Sequence, residues 1–143
     1  MSSVPFHYVD LRTFCYATED DKRVEAALRT LLPEDFEIQR TTSEGHHGDR
    51  IVVFSARVEN ASDVKTVLER LGELPAEQKA QLLEELDDRV TDNTELFLTL
   101  DKQAAFQGEI ALGDGIKFRA KVEAYPASKA AAVTNARDVL ADL

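Results

Sequence analysis

From His7 to Ala17 the chain alternates: Val9, Leu11, Thr13 and Cys15 fall on one side, and Tyr8, Asp10, Arg12, Phe14 and Tyr16 on the other. A period of two sustained this long belongs to a strand with one face on a core. The pattern returns twice. Leu96, Leu98 and Leu100 oppose Phe97 and Thr99, and Ile116, Phe118, Ala120 and Val122 oppose Lys117, Arg119 and Lys121. Strands of this kind fit an antiparallel sheet that is covered on one side only.

Helical spacing fills the intervals. Thr18 offers a cap, with Asp21 three residues on, before Val24, Ala27, Leu28 and Leu31 follow until Pro33 stops them. Phe36, Ile38 and Arg40 lie on one side of a second predicted strand ending at Gly45, and Ile51 to Phe54 opens a third that reaches about Val58. Asn60 caps a helix carrying Val64, Val67, Leu68 and Leu71; Gly72 punctuates the join to a second, starting near Pro75 and carrying Leu82, Leu83 and Leu86. Gly113-Asp114-Gly115 predicts a hairpin between Glu109–Leu112 and Ile116–Tyr125, Pro126 ends the sheet region, and Lys129 to Leu140 reads as a closing helix. The expected fold is α+β, one domain over residues 1–143, mainly antiparallel sheet with helices packed on one face.

No stretch approaches the roughly 20 apolar residues of a membrane-spanning helix. The start, Met1-Ser2-Ser3-Val4-Pro5, lacks a basic leader and an apolar targeting segment, so a cytoplasmic protein is expected. Cys15 is the single cysteine, unable to form an internal disulfide or a cysteine zinc site, and is expected to be a buried, inert thiol.

Three segments carry candidate binding chemistry. Lys117, Arg119 and Lys121 share one strand face at intervals of about 6.6 to 6.8 Å, a spacing that can follow a phosphate backbone or serve as an ordinary solvated face. If the first strand lies beside them, Arg12 adds charge and Tyr8, Phe14 or Tyr16 adds stacking surface, although those aromatics are expected partly in the core. Glu44-Gly45-His46-His47-Gly48-Asp49-Arg50 places two imidazoles and a guanidinium on a glycine-rich turn, suited to bases or phosphates and equally to a polar connection that caps strand ends. Asp101-Lys102-Gln103-Ala104-Ala105-Phe106-Gln107-Gly108 leaves a strand with one cation and two amides beside small residues, which fits either a sugar-phosphate contact or a β-bulge or strand-to-strand turn.

Metal and catalysis are disfavoured. Glu44, His46, His47 and the distant His7 offer donors, but adjacent histidines on an extended chain point to opposite sides. No phosphate-binding glycine loop, serine elbow or locally paired nucleophile and base is present. No metal, no cofactor and no enzymatic activity are expected.

The Glu44 to Gly48 turn, together with Leu98 to Gly108 and its Lys-Gln-Ala-Ala centre, resembles an archaeal family of RNA-binding domains, also described as predicted exosome subunits. The resemblance runs from about His7 to about Leu140 and implies the fold of the large-subunit ribosomal protein that holds 5S rRNA. It further implies a non-catalytic RNA binder, an accessory to RNA processing, with RNA and exosome or other RNA-processing proteins as partners. For an RNA binder, the residue chemistry set out above, not the resemblance, offers Glu44, His46, His47, Arg50, Lys102, Gln103, Lys117, Arg119, Lys121 and Arg12 as the contacts. Asp49 and Thr99 stand where the family often has an uncharged amide and an arginine. The other reading is a protein-interaction module that joins a larger complex through a sheet edge or the leucine-rich helices.

Charge cuts against RNA: 27 acidic and 17 basic residues give −10, the wrong sign for gripping phosphate. Seven of the basic residues are lysine, and this acidic, lysine-poor composition is the one expected of a halophilic archaeon, where molar salt shortens the Debye length to about 3 Å. The charge is also uneven. Ala61 to Glu95 holds ten acidic and four basic residues, whereas Leu96 to Lys129 holds four and five.

Overall fold

The computed structural model describes residues 5–45 and 48–143. Five strands, β1 (Phe6–Cys15), β2 (Gln39–Glu44), β3 (Arg50–Val58), β4 (Glu95–Asp101) and β5 (Gly115–Val122), form one antiparallel sheet in the order β2-β3-β1-β5-β4. Among the described residues six helices accompany them: α1 (Asp21–Arg29), α2 (Ala61–Leu71), α3 (Ala76–Glu84), α4 (Leu86–Arg89), α5 (Lys102–Phe106) and α6 (Lys129–Ala141).

The alternating strand residues explain the layering. Val9, Leu11, Phe54, Leu96, Ile116 and Phe118 are nearly solvent-free on one face, where they meet Leu28, Val67, Leu71, Leu86 and Leu140 from the helices. Burying each such side chain contributes about 1.5–3 kcal/mol, so the sheet's register is held by this face. Thr13, also fully buried, is satisfied because its Oγ1 donates to the Gly115 carbonyl at 2.7 Å. Among the described residues, the opposite face carries no helical layer. Among the described residues, no helix is long and apolar enough to cross a membrane.

Several expectations are corrected. The cap of α1 is Asp20, whose Oδ1 accepts from the Lys22 amide at 2.9 Å; Thr18 lies in the preceding turn, closed by the Glu19 amide on the Tyr16 carbonyl. Tyr8 and Phe14 are half-buried and Tyr16 is exposed, and none of the three joins the core, because their parity opposes that of Val9, Leu11 and Cys15.

The expected late hairpin is absent. Glu109–Leu112 contributes only a single bridge, Leu100 to Leu112, and β5 pairs instead with β1 and β4. Gly113 and Gly115 serve another purpose: a Cβ would come within 2.7 Å of Asp101 at the first and 2.6 Å of Lys102 at the second, where φ is +116°. These glycines let the backbone pass close to the β4–α5 junction. The Lys102 segment, expected as a site loop or a bulge, is the helix α5, with Asp101 capping it through a hydrogen bond from the Ala104 amide.

Candidate nucleic-acid interface

The residues that alternate away from the core converge on the open face of the sheet. Pairing of β1 with β5 sets Arg12 opposite Lys117, Asp10 opposite Arg119 and Tyr8 opposite Lys121. Pairing with β3 sets Arg12 opposite Ser55 and Asp10 opposite Arg57, while β4 sets Thr99 opposite Lys117 and Phe97 opposite Arg119. A groove of about 670 Å³ runs over this face, with Arg12, Gln39, Arg57, Arg89, Phe97 and Lys117 among the residues that line it.

Charge on the face is organised around Asp10. Arg57 donates to both its oxygens, at 2.9 and 3.1 Å, and Arg119 Nη2 donates to Oδ2 at 2.5 Å. Partial burial alone pushes the Asp10 carboxyl upward, yet the hydrogen bonds and charges of Arg57 and Arg119 overcome this and hold it below the ordinary range. Arg119 also lies 3.6 Å from Glu95, and Arg57 stacks on Tyr8 with 3.9 Å from its Cζ to the ring centre. Lys121 donates to the Asn93 carbonyl.

Arg12 and Lys117 differ from these. Both are exposed, neither has an ion-pair or hydrogen-bond partner among the described residues, and each rests over the Phe14 ring, at 5.5 and 5.8 Å. On the open-face strand positions five cations (Arg12, Arg57, Lys117, Arg119, Lys121) stand against three carboxylates (Asp10, Glu95, Asp101), in a chain whose formal charge is −10. Elsewhere on the surface, acidic residues dominate α2 to α4.

The structure therefore brings Arg12, Lys117, Arg119 and Lys121 together on one surface. Other candidates lie apart. Arg50 reaches round to Asp21 at 2.7 Å, beside Arg40 at 2.5 Å, on the helical side of the sheet. Hydrogen bonding from Cys15, more than the two arginines, holds the Asp21 carboxyl low. Glu44 is exposed at the end of β2, opposite Arg50 in the ladder, and His46 and His47 fall outside the described residues. Lys102 is largely enclosed: its Nζ donates to the Phe14 carbonyl at 3.0 Å and lies 2.8 Å from Glu19. Gln103, one residue on, is exposed. Sequence reasoning missed Arg57, Arg89 and Phe97 as members of the face, although Arg57 is out of phase with Val52, Phe54, Ala56 and Val58 and Phe97 with its leucine neighbours.

A family model described as RNA binding matches residues 8–122, a span that takes in all of β2 to β5 and β1 from Tyr8 onward. The chain belongs to this RNA-binding family. It is 35% identical over 143 aligned residues to a protein of Pyrococcus abyssi named RNA-binding protein, covering 94% of this chain and 93% of that one. Among solved structures, a DUF54 protein from Methanothermobacter thermautotrophicus is 36% identical with a TM-score of 0.80, covering 94% of this chain and 98% of its own. A DUF54-family protein from Archaeoglobus fulgidus, 30% identical, reaches a TM-score of 0.83 over 94% and 99% of the two chains. The α+β fold of this chain is thus shared with these two archaeal proteins.

Proposed function

We propose that this chain is a non-catalytic RNA-binding protein that takes RNA on the open face of its sheet. The observation that carries the reading is the placement of Arg12 and Lys117, two exposed cations without carboxylate partners among the described residues, in register at the centre of a positive face on an acidic protein. Lysine and arginine so placed neutralise phosphates and release their counterions. The name of the Pyrococcus relative supports the same ligand. Binding rather than catalysis fits the chemistry of the face. Asp10, the carboxylate at its centre, is held ionised between two arginines, an arrangement that fixes charge rather than passing protons.

The finer reading is an accessory to RNA processing in the cytoplasm of a salt-adapted archaeon, working beside the exosome on a scaffold like that of the 5S-rRNA-binding ribosomal protein. Its support is the resemblance of the two motifs and the acidic composition. The test is equilibrium binding of purified protein to RNA in molar potassium chloride, with the salt then lowered. Saturable binding that strengthens as salt falls, at roughly 0.7 in log–log slope per phosphate of a single strand, is the expected result. No binding at any salt at which the protein stays folded would remove the reading.

A second reading, docking into a larger complex, draws on β2, whose six residues are all exposed along one edge of the sheet. Docking there would survive charge reversal at Arg12 and Lys117.

A further inference from the structure

We infer that the RNA taken by this face is single-stranded, with bases stacked at two aromatic stations, Phe14–Tyr16 and Phe97, and the phosphates between them on Arg12 and Lys117; this rests on the RNA-binding reading above. The Phe14 and Tyr16 rings lie 6.5 Å apart and 26° from parallel at one end of β1, and Tyr16 is 52% exposed. Phe97, 42% exposed, stands on β4 opposite Arg119. Two strand spacings and four residues along the strands separate it from Phe14, a diagonal of about 16 Å. The register places Arg12 and Lys117 in the row between the two stations.

Duplex RNA has little use for such a surface. Its bases are stacked on one another, and proteins meet it through phosphates and 2′-hydroxyls spread over many contacts. Among the described residues this face offers two cations without an ion-pair or hydrogen-bond partner, because Arg57 and Arg119 are committed to Asp10 and Lys121 to the Asn93 carbonyl. Flat rings flanking a short cationic row suit a strand whose bases are already unstacked, since each base has a face to lay on an aromatic whatever its identity.

The experiment compares an unstructured mixed-sequence oligoribonucleotide with the duplex it forms with its complement, using the wild-type protein, Tyr16→Ala, Phe97→Ala and Arg12→Glu/Lys117→Glu. Both rings are exposed, so melting temperatures should confirm that the alanine variants remain folded. The single strand should bind more tightly than the duplex, each alanine variant should lose roughly tenfold or more in single-strand affinity, and duplex affinity should change little. The chain has no tryptophan and three tyrosines, so tyrosine fluorescence should be quenched by the single strand, and less so in Tyr16→Ala. If the duplex binds as tightly, the alanine variants match wild type and only the charge reversal abolishes binding, the inference is overturned while the RNA-binding reading stands. If neither RNA binds, both fall.

Discussion

Arg12 and Lys117 face each other across the β1–β5 ladder, two like charges in direct register over the ring of Phe14. Like charges directly opposite on a sheet face are destabilising, by an amount on the order of a few tenths of a kcal/mol. The contacts of both cations with the Phe14 ring, about 0.5–1 kcal/mol each, offset this repulsion. Lys117→Glu should turn the pair into an attractive one. The expected outcome is a melting temperature equal to or slightly above wild type together with weaker RNA binding, measured by thermal unfolding and anisotropy on the same samples.

Asp10 restrains the face by occupying Arg57 and Arg119. Asp10→Asn should free both guanidiniums and tighten RNA binding, while costing about 1 kcal/mol of stability, since the two arginines remain half-exposed and solvated. The folded-state carboxyl sits below its ordinary 3.8, so its contribution is present above that pH and is lost as pH falls through the lower folded value. Acid unfolding curves should accordingly show weaker dependence on pH in the variant.

Lys102 ties the Glu19 carboxylate to the Phe14 carbonyl. Lys102→Met would leave the Glu19 carboxylate and the Phe14 carbonyl without their shared donor, which costs roughly 1–3 kcal/mol. Melting should fall by several degrees, with RNA affinity close to wild type in the temperature range where the variant is folded. A variant of native stability that no longer bound RNA would return Lys102 to the interface.

The fold was legible wherever apolar residues kept a strict period. Val9, Leu11, Leu96, Leu98, Ile116 and Phe118 each alternate against polar or exposed neighbours, and each is buried. The adjacency of β1 and β5 was not legible, because pairing between strands a hundred residues apart is decided by packing of the helical layer, not by local pattern. Gly113 and Gly115 misled for a related reason: close approach to Asp101 and Lys102 demands glycine as strongly as a hairpin turn does. The same limit applied to the site. Lys117 and Arg119 look equivalent in sequence, and only the register shows that Arg119 meets Asp10 while Lys117 meets another cation.

Cys15 should behave as an inert thiol. Burial, with a hydrogen bond to Asp21 adding to it, pushes its pKa up to about 11 from an ordinary 9.0. It should resist thiol reagents at pH 8 in the native protein and react at once on denaturation. Its stabilising contribution is complete below pH 9.0 and is lost as pH rises toward about 11, a dependence that Cys15→Ala should remove.

The central claim is that RNA meets the open face of the sheet and not the helical layer. Its most direct test sets Arg12→Glu/Lys117→Glu beside Lys22→Glu/Lys65→Glu, two double reversals with the same change in net charge, the second on exposed positions of α1 and α2. Binding of one RNA is measured for both as salt is varied. The open-face variant should lose most of its affinity, with the salt slope falling by about 1.4 for two lost phosphate contacts, while the helical variant stays near wild type. Equal losses in the two variants would contradict the account, since they would mean that net charge alone, and not this face, governs the interaction.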